Sequence, residues 1–205
     1  MRFALLLLSL LVIVGCSVKS VWAPEEKIQE VQYRHPGAAT ITLVTVLNVG
    51  SNNGAHAALI INASERVIFD PAGSFSYVHA PEQNDVLFGA NPAIVDSYID
   101  YHTRFNYYTT AQTVDVLAEV AEGLLHRVKE NGAVSQALCS QSISALLVAT
   151  PGFERIQRSY FPDQLAISFA TLPDVRTRAF RQLEDFDQTT EFHSWVGQPA
   201  RFNIE

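Results

Sequence analysis

Two short apolar runs, separated by four small or polar residues, constrain this chain more than any other feature. The first run covers residues 56–61 and follows the turn-forming residues Asn52, Asn53 and Gly54; the second covers residues 66–70. Runs of this length and composition predict two β-strands joined as a hairpin. Because the first run is apolar at successive positions, we expect its strand to lie centrally in a sheet covered on both sides.

This hairpin would carry an imidazole and a carboxylate toward the same end. His56 opens the first strand and Asp70 closes the second. Their separation along the chain is even, so a connecting turn with an odd number of residues puts both side chains on one face of the sheet. A turn with an even number of residues would put them on opposite faces.

A thiol far downstream completes the residue set of a nucleophilic cysteine site. Cys139 opens a predicted apolar helix over residues 139–148, and the dipole at a helix start favours a thiolate. We therefore predict Cys139 as nucleophile, His56 as its base and acid, and Asp70 as the group that orients the ring. Taken alone, a cysteine is more often an inert core residue than a nucleophile.

The N-terminus predicts a lipid anchor. Residues 3–14 form an apolar run that ends at Gly15 and Cys16, too short to span a bilayer but typical of a signal peptide. A small residue before this cysteine resembles a bacterial lipobox, which implies cleavage before Cys16 and lipidation of its thiol. By the same resemblance, Ser17 favours the outer membrane, facing the periplasm. The alternative is an ordinary secretory signal in which Cys16 is incidental.

The cysteine count makes Cys139 more informative. The chain has two cysteines, so a lipid on Cys16 leaves Cys139 without a partner for an intramolecular disulfide. A leftover thiol in an exported protein is a candidate reactive group.

The remaining pattern predicts an α+β fold in which an antiparallel sheet packs with helices. A β-branched run predicts a strand over residues 40–47, and residues 104–108 are a weaker strand candidate. Asn91 and Pro92 predict the start of a helix over residues 92–99. Further helices are predicted over residues 25–31, 113–125 and 162–170, with Asn131 and Gly132 ending the second of these. Residues 73–90 are predicted to form an irregular loop, and the last thirty residues to pack back on the domain through Phe180, Phe186, Phe192 and Trp195.

Composition excludes one class of partner and favours no cofactor. The net charge is −7 and no basic cluster is present, which argues against nucleic-acid binding. A metal site of Cys139, His56 and Asp70 is an alternative, but no short-spaced ligand pair supports one, so no metal is predicted. The other histidines are interpreted as surface residues, with His79 and His102 the two to compare with Cys139.

The order of histidine, carboxylate on the next strand and cysteine opening a helix resembles the circularly permuted papain-like hydrolases. Within these it resembles the amidases of the YaeF and YiiX type, which are related to the NlpC cell-wall peptidases. Residues 54–61, 67–70 and 138–140 carry the resemblance, which covers about half of the mature domain. Relatives often have Asn directly before the cysteine, where this chain has Leu138. The resemblance implies a circularly permuted papain-like α+β fold and thiol-dependent cleavage or transfer of amides or esters.

Two functions are therefore expected from the sequence. The first is a membrane-anchored hydrolase or acyltransferase that acts on an envelope amide or ester, such as a peptidoglycan peptide or a lipid-linked acyl group. The second is a non-catalytic envelope lipoprotein that binds a ligand or partner on the same scaffold. In either case the predicted organisation is a signal peptide (1–15), a tether (16–37) and a hydrolase-like domain (38–205).

Overall fold

A computed structural model describes residues 20–104 and 106–182. The predicted signal peptide, the predicted lipidation site at Cys16 and the aromatic residues Phe186, Phe192 and Trp195 lie outside the described residues.

The described residues form five helices and seven strands. The helices are α1 (Glu25–Val31), α2 (Pro92–His102), α3 (Ala118–Glu130), α4 (Cys139–Val148) and α5 (Pro162–Phe169). The strands are β1 (Thr40–Asn48), β2 (Gly54–Asn62), β3 (Arg66–Phe69), β4 (Glu82–Gln83), β5 (Val86–Leu87), β6 (Tyr107–Asp115) and β7 (Arg176–Phe180).

The strands form one antiparallel sheet, which confirms the predicted α+β class. Their order across the sheet is β4-β5-β3-β2-β1-β6-β7, so β2 is the middle strand. The side chains of β2 are buried from Ala57 to Asn62 on both faces. The prediction of a central strand covered on both sides is therefore confirmed, and this position explains why the strand is apolar at successive residues.

The two faces of the sheet have different partners. On the helix-rich face, Leu43 and Leu59 pack in a core with residues of α3, α4 and α5. On the α2 face, Val44 and Ile60 pack in a second core with residues of α2. Neighbouring strand residues point to opposite faces, so the odd-numbered Leu43 and Leu59 meet the helix-rich core and the even-numbered Val44 and Ile60 meet α2.

Three predicted helix starts, at residues 25, 92 and 139, are confirmed, whereas α2 continues to His102 and does not end at the predicted Ile99. Helices α1 and α4 begin and end at the predicted residues. The side chain of Asn91 accepts a hydrogen bond from the backbone N–H of Ile94 at 3.0 Å, which caps α2 ahead of Pro92. Helix α1 also buries Ile28 in the helix-rich core, so residues 25–31 pack on the domain.

The predicted helix over residues 113–125 is wrong at its start. Strand β6 continues to Asp115, and α3 begins only at Ala118. Strand β1 offers a hydrogen-bonding partner to every residue of β6, and this pairing overrides the helical spacing of Val114, Leu117 and Ala121. Consequently Val114 is buried in the sheet, whereas Leu117 is 66% exposed rather than part of the apolar face of the helix.

Residues 73–90 are more ordered than predicted. Strands β4 and β5 form within them and extend the sheet beyond β3. Within this mostly polar stretch lies a short apolar segment, Val86, Leu87 and Phe88, whose side chains are all buried. At the opposite edge, β7 pairs with β6, and Phe180 packs against the core of the α2 face. For Phe180, the prediction that the C-terminal aromatic residues pack on the domain is confirmed.

Candidate active site

The hairpin brings His56 and Asp70 together as the parity argument predicted. Asn62 pairs with Arg66, so three residues form the turn, an odd number. Both His56 and Asp70 then lie on the α2 face, and Nε2 of His56 is 2.6 Å from Oδ1 of Asp70. Asp70 is 4% exposed, so this hydrogen-bonded pair is largely shielded from water.

A β-bulge lies directly beside His56. Val46 of β1 pairs with His56, whereas the next residue, Leu47, pairs with Gly54. Ala55 is therefore an extra residue in β2, which bends and twists the strand locally. Bulges are common next to active sites because they redirect a neighbouring side chain.

Tyr98 is part of the site and was missed from the sequence. Its hydroxyl donates a hydrogen bond to Oδ1 of Asp70 at 2.5 Å, and its side chain is fully buried in the α2 face. Within the helix prediction, Tyr98 was only one apolar residue among others. Nothing in the spacing marks it as a donor to a carboxylate that lies 28 residues away in the chain.

His102 also belongs to this site, so its interpretation as a surface residue is wrong. Its ring stacks on the ring of His56, with 5.5 Å between centroids and 15° between planes. Its Nδ1–H donates to the backbone oxygen of Tyr98 at 2.9 Å, which fixes the ring at the end of α2. His79, the other histidine to be compared with Cys139, is exposed and meets the ring of Tyr77 edge to face instead.

Gly73 allows Asp70 to occupy its position. A Cβ atom at residue 73 would lie 1.8 Å from Oδ2 of Asp70, far inside van der Waals contact. The backbone N–H of Gly73 also donates to the backbone oxygen of Asp70 at 2.9 Å. The chain therefore turns closely around the carboxylate, and a side chain at residue 73 would displace it.

Cys139 reaches the site from the opposite layer. It is the first residue of α4, which packs on the helix-rich face, and its thiol interacts with His56 and with the backbone N–H groups of Ala57 and Ser140. The residue before it, Leu138, provides no side-chain cap for the helix. The unpaired N–H groups of the first turn therefore remain available to stabilise negative charge.

The electrostatics favour an ion pair between the thiol and the imidazole. Burial acts to raise the pKa of Cys139, but the hydrogen bond to His56, its charge and the two backbone N–H groups together lower it below the ordinary value. Burial acts to lower the pKa of His56, but its hydrogen bonds to Asp70 and Cys139 and the charges of both raise it to about 10. The favoured state is thus thiolate with imidazolium.

The other groups of the site, Asp70, Tyr98 and His102, have protonation states that suit a charged His56. Burial acts to raise the pKa of Asp70, but the bonds from His56 and Tyr98 lower it overall, which keeps the carboxylate charged. Burial and the neighbouring Asp70 charge raise the pKa of Tyr98, which keeps its hydroxyl protonated as a donor. Burial lowers the pKa of His102, so its ring is neutral where that of His56 is charged.

A metal ion would compete with this arrangement. His56, Asp70 and His102 each offer a ligand atom, and these atoms lie within 4.8 Å of one another. A metal held there would have to replace the hydrogen bond between His56 and Asp70. The predicted alternative with Cys139, His56 and Asp70 as ligands would break the same bond, so the observed contacts favour proton chemistry at His56.

No known family, curated protein or solved structure matches the chain. Within residues 20–104 and 106–182, no helix has the length and apolar character needed to cross a membrane. What this chain does must therefore be inferred from its own residues.

Proposed function

We propose that this protein is a cysteine-dependent hydrolase or acyltransferase that cleaves an amide or ester bond. Cys139 is the nucleophile, His56 the base and acid, and Asp70 the group that orients His56. The observation that carries the proposal is the buried hydrogen bond of 2.6 Å between His56 and Asp70, with the thiol of Cys139 interacting with the same imidazole. These are the elements of nucleophilic catalysis by cysteine.

In the first half of the reaction, the thiolate attacks the carbonyl carbon of the substrate and forms the sulfur–carbon bond of an acyl-enzyme. As the carbon–nitrogen or carbon–oxygen bond breaks, the imidazolium of His56 gives its proton to the leaving group. Because Nε2 of His56 is bound to Asp70, Nδ1 is the nitrogen left for this transfer.

In the second half, a water molecule or an acceptor alcohol or amine attacks the acyl carbon. His56, now neutral, takes its proton, the sulfur–carbon bond breaks, and the thiolate and imidazolium return. The acceptor decides whether the net reaction is hydrolysis or acyl transfer. The same residues serve both outcomes, as the resemblance to papain-like amidases also implies.

Asp70 and Tyr98 act through His56 and are positioning residues. Asp70 is hydrogen-bonded to Nε2 of the His56 ring. On the α2 face, the hydroxyl of Tyr98 donates to Asp70 at 2.5 Å. This fixes the tautomer and the direction of the ring without contact to the substrate.

The proposed setting is the cell envelope, with the domain held to the membrane by a lipid on Cys16. The proposed substrates are a peptidoglycan peptide or a lipid-linked acyl group. Replacing Cys16 by Ala should abolish the incorporation of labelled fatty acid into the chain. Continued labelling of the Cys16→Ala variant would contradict the anchor.

The proposed site is tested by the rate of Cys139 alkylation with iodoacetamide as a function of pH. The wild type should react well at pH 6–7, where an ordinary thiol of pKa about 8.5 reacts slowly. His56→Ala should slow the reaction and shift its profile to higher pH. His126→Ala is the matched control, since His126 is exposed and pairs with Glu130 on α3.

The pH dependence of turnover has a defined sign. The thiolate forms as the pH rises through the lowered pKa of Cys139, so activity should increase there. The imidazolium needed by the leaving group is lost as the pH passes about 10, the raised pKa of His56, so activity should fall there. A plateau between these limits is expected with peptidoglycan or acyl substrates, and it should disappear in the His56→Ala variant.

The second candidate function is a non-catalytic envelope lipoprotein. It is favoured by the low exposure of Cys139, 6%, which is typical of an inert cysteine. In that case the wild type and His56→Ala should have identical alkylation profiles, both with the midpoint of an ordinary thiol.

A further inference from the structure

A cleft of about 280 Å³ opens beside His56 on the α2 side of the sheet. His56, His102 and Tyr101 form part of its wall, and Ser74, Arg104 and Tyr107 contribute further polar groups. His56 lines this cleft and also interacts with the thiol of Cys139, so the cleft lies next to the proposed base.

Besides His56, which is paired with Asp70 and Cys139, Arg104 is the cation that lines this cleft, and its guanidinium is held in place. Its Nε donates to the backbone oxygen of Tyr101 at 2.7 Å, and the guanidinium carbon lies 4.3 Å from the centre of the Tyr101 ring. The Tyr101 ring is itself fixed, since its hydroxyl is 3.1 Å from Oγ of Ser74 and its edge meets His102. An arginine ordered before binding loses less freedom when a ligand arrives.

The charge around Arg104 indicates what it binds. Among the described residues, none of those lining the cleft is acidic, and no carboxylate pairs with Arg104. Asp70 lies behind His56 and is neutralised by it. In a chain of net charge −7, this guanidinium is therefore left to pair with an anion from outside.

The number of cations favours a carboxylate over a phosphate group. A guanidinium matches the two oxygens of a carboxylate with two parallel hydrogen bonds. The lining contains one arginine and no lysine, and its other cation, the imidazolium of His56, is already paired with Asp70 and the Cys139 thiolate. The second charge of a phosphate dianion would therefore lack an unpaired cation among the described lining residues.

We propose that this cleft binds a carboxylate of the substrate, with Arg104 as a specificity-determining residue beside the bond that Cys139 attacks. This rests on the proposed function and narrows its substrates to amides or esters with a free carboxylate near the scissile bond. Peptides with an acidic side chain or a free terminal carboxylate have this chemistry.

The test compares two maleimides that differ only in charge, one carrying a propanoic acid group and the other the corresponding propanamide. Their rates of addition to Cys139 are measured for the wild type, Arg104→Gln and Arg155→Gln. Arg155 is the matched control because it is an exposed arginine beyond the C-terminal end of α4, the end opposite Cys139. The Arg155→Gln substitution removes the same charge from the protein as Arg104→Gln does, but it leaves the charge of the cleft unchanged.

The acid should react with the wild type faster, relative to the amide, than it does with Arg104→Gln, with a change in the ratio of about tenfold. The ratio should be unchanged in Arg155→Gln, and both maleimides should react with that variant as they do with the wild type. An equal ratio in the wild type and Arg104→Gln overturns the carboxylate site, even if the amide reacts rapidly and with a lowered thiol pKa.

A second measurement keeps the site testable if the thiol proves inert. The saturated succinimide analogues of the two maleimides cannot react, so their binding is measured by NMR titration of the Cys139→Ser protein with and without Arg104→Gln. Binding of the acid that depends on Arg104 supports the site even if the amide maleimide shows that the proposed chemistry fails. Binding of acid and amide with equal affinity overturns the site.

Discussion

The two faces of strand β2 are built for different purposes. Its odd-numbered residues Ala57, Leu59 and Ile61 meet the apolar core under α3, α4 and α5. Its even-numbered residues beyond the bulge include His56, which meets Asp70 and His102 on the α2 face. One strand therefore carries the main core on one side and the polar site on the other.

This division places the polar groups together at one end of the strand, where they are buried and hydrogen-bonded to one another. On the α2 face, the site lies at the end of the strand, and apolar residues such as Ile60, Ile94 and Ile99 fill the rest of the face. Buried hydrogen bonds to a charged group are strong because little water competes with them, and costly if a partner is missing. We therefore expect changes in the apolar core of the helix-rich face, away from Cys139, to alter stability alone. Changes at the site should alter stability together with thiol reactivity.

The largest effect on unfolding is expected from the helix-rich face. Leu124 of α3 is fully buried there, so Leu124→Ala should lower the free energy of unfolding by about 2–5 kcal/mol. Urea denaturation measures this change. The pH profile of Cys139 alkylation should be unaltered, and a shifted profile would show that the two faces are not independent.

Leu117 is the matched control for that substitution. It lies just ahead of α3 and is 66% exposed, so Leu117→Ala should change the free energy of unfolding by less than about 0.5 kcal/mol. A large loss of stability in Leu117→Ala would instead indicate that Leu117 is buried on the apolar helix face, as its spacing in the sequence predicted.

A smaller effect on stability, together with an effect on thiol reactivity, is expected at Tyr98. Tyr98→Phe removes the donor to the buried Asp70 carboxylate and should lower the free energy of unfolding by about 1.5–3 kcal/mol. It should also move the acid limb of the alkylation profile to higher pH, because the lost bond helps to keep the pKa of Asp70 low. Tyr108→Phe, which removes an exposed bond to Asn52, should do neither. An unchanged profile in Tyr98→Phe would separate Tyr98 from the site.

The same substitution, Gly to Ala, can be made at the site (Gly73) and in α3 of the helix-rich face (Gly123), and its effects should differ. Gly73→Ala places a methyl group against the Asp70 carboxylate, which His56 and Tyr98 hold from the other side, so about 1–3 kcal/mol of stability and the rapid alkylation should both be lost. Gly123 lies in α3 with open space around it, so Gly123→Ala should stabilise the protein by about 0.5–1 kcal/mol. Normal alkylation by Gly73→Ala would mean that the carboxylate can move without consequence.

The sequence predicted the elements whose signals are local. The β-branched run of β1, the Asn91 and Pro92 start of α2 and the apolar runs of the hairpin all depend on neighbouring residues. The relation of His56 to Asp70 was also predictable, because strand periodicity and one short turn determine it.

The rest of the site depends on contacts that spacing does not encode. Tyr98 and His102 join it only because α2 packs over the end of β2, an arrangement set by the tertiary fold. The end of β6 was mistaken for helix because pairing with β1 outweighed the local pattern at Val114. The close turn of Gly73 around Asp70 is likewise visible only in three dimensions.

The smallest effect is expected from the stacked histidine, and two substitutions isolate it. His102→Phe and His102→Ala both remove the hydrogen bond to the backbone oxygen of Tyr98, but only Phe keeps a ring against His56. The Ala variant should therefore be less stable than the Phe variant by about 0.5–1.5 kcal/mol, the usual contribution of an aromatic pair.

The same pair of variants separates packing from chemistry at His56. Without a ring against it, the imidazole is free to turn away from Cys139, so His102→Ala should alkylate more slowly than His102→Phe at pH 6–7. Urea denaturation and iodoacetamide kinetics measure the two quantities on the same proteins. If the two variants are equally stable and equally reactive, the stack does not hold His56, and His102 serves the α2 side only as a wall of the cleft.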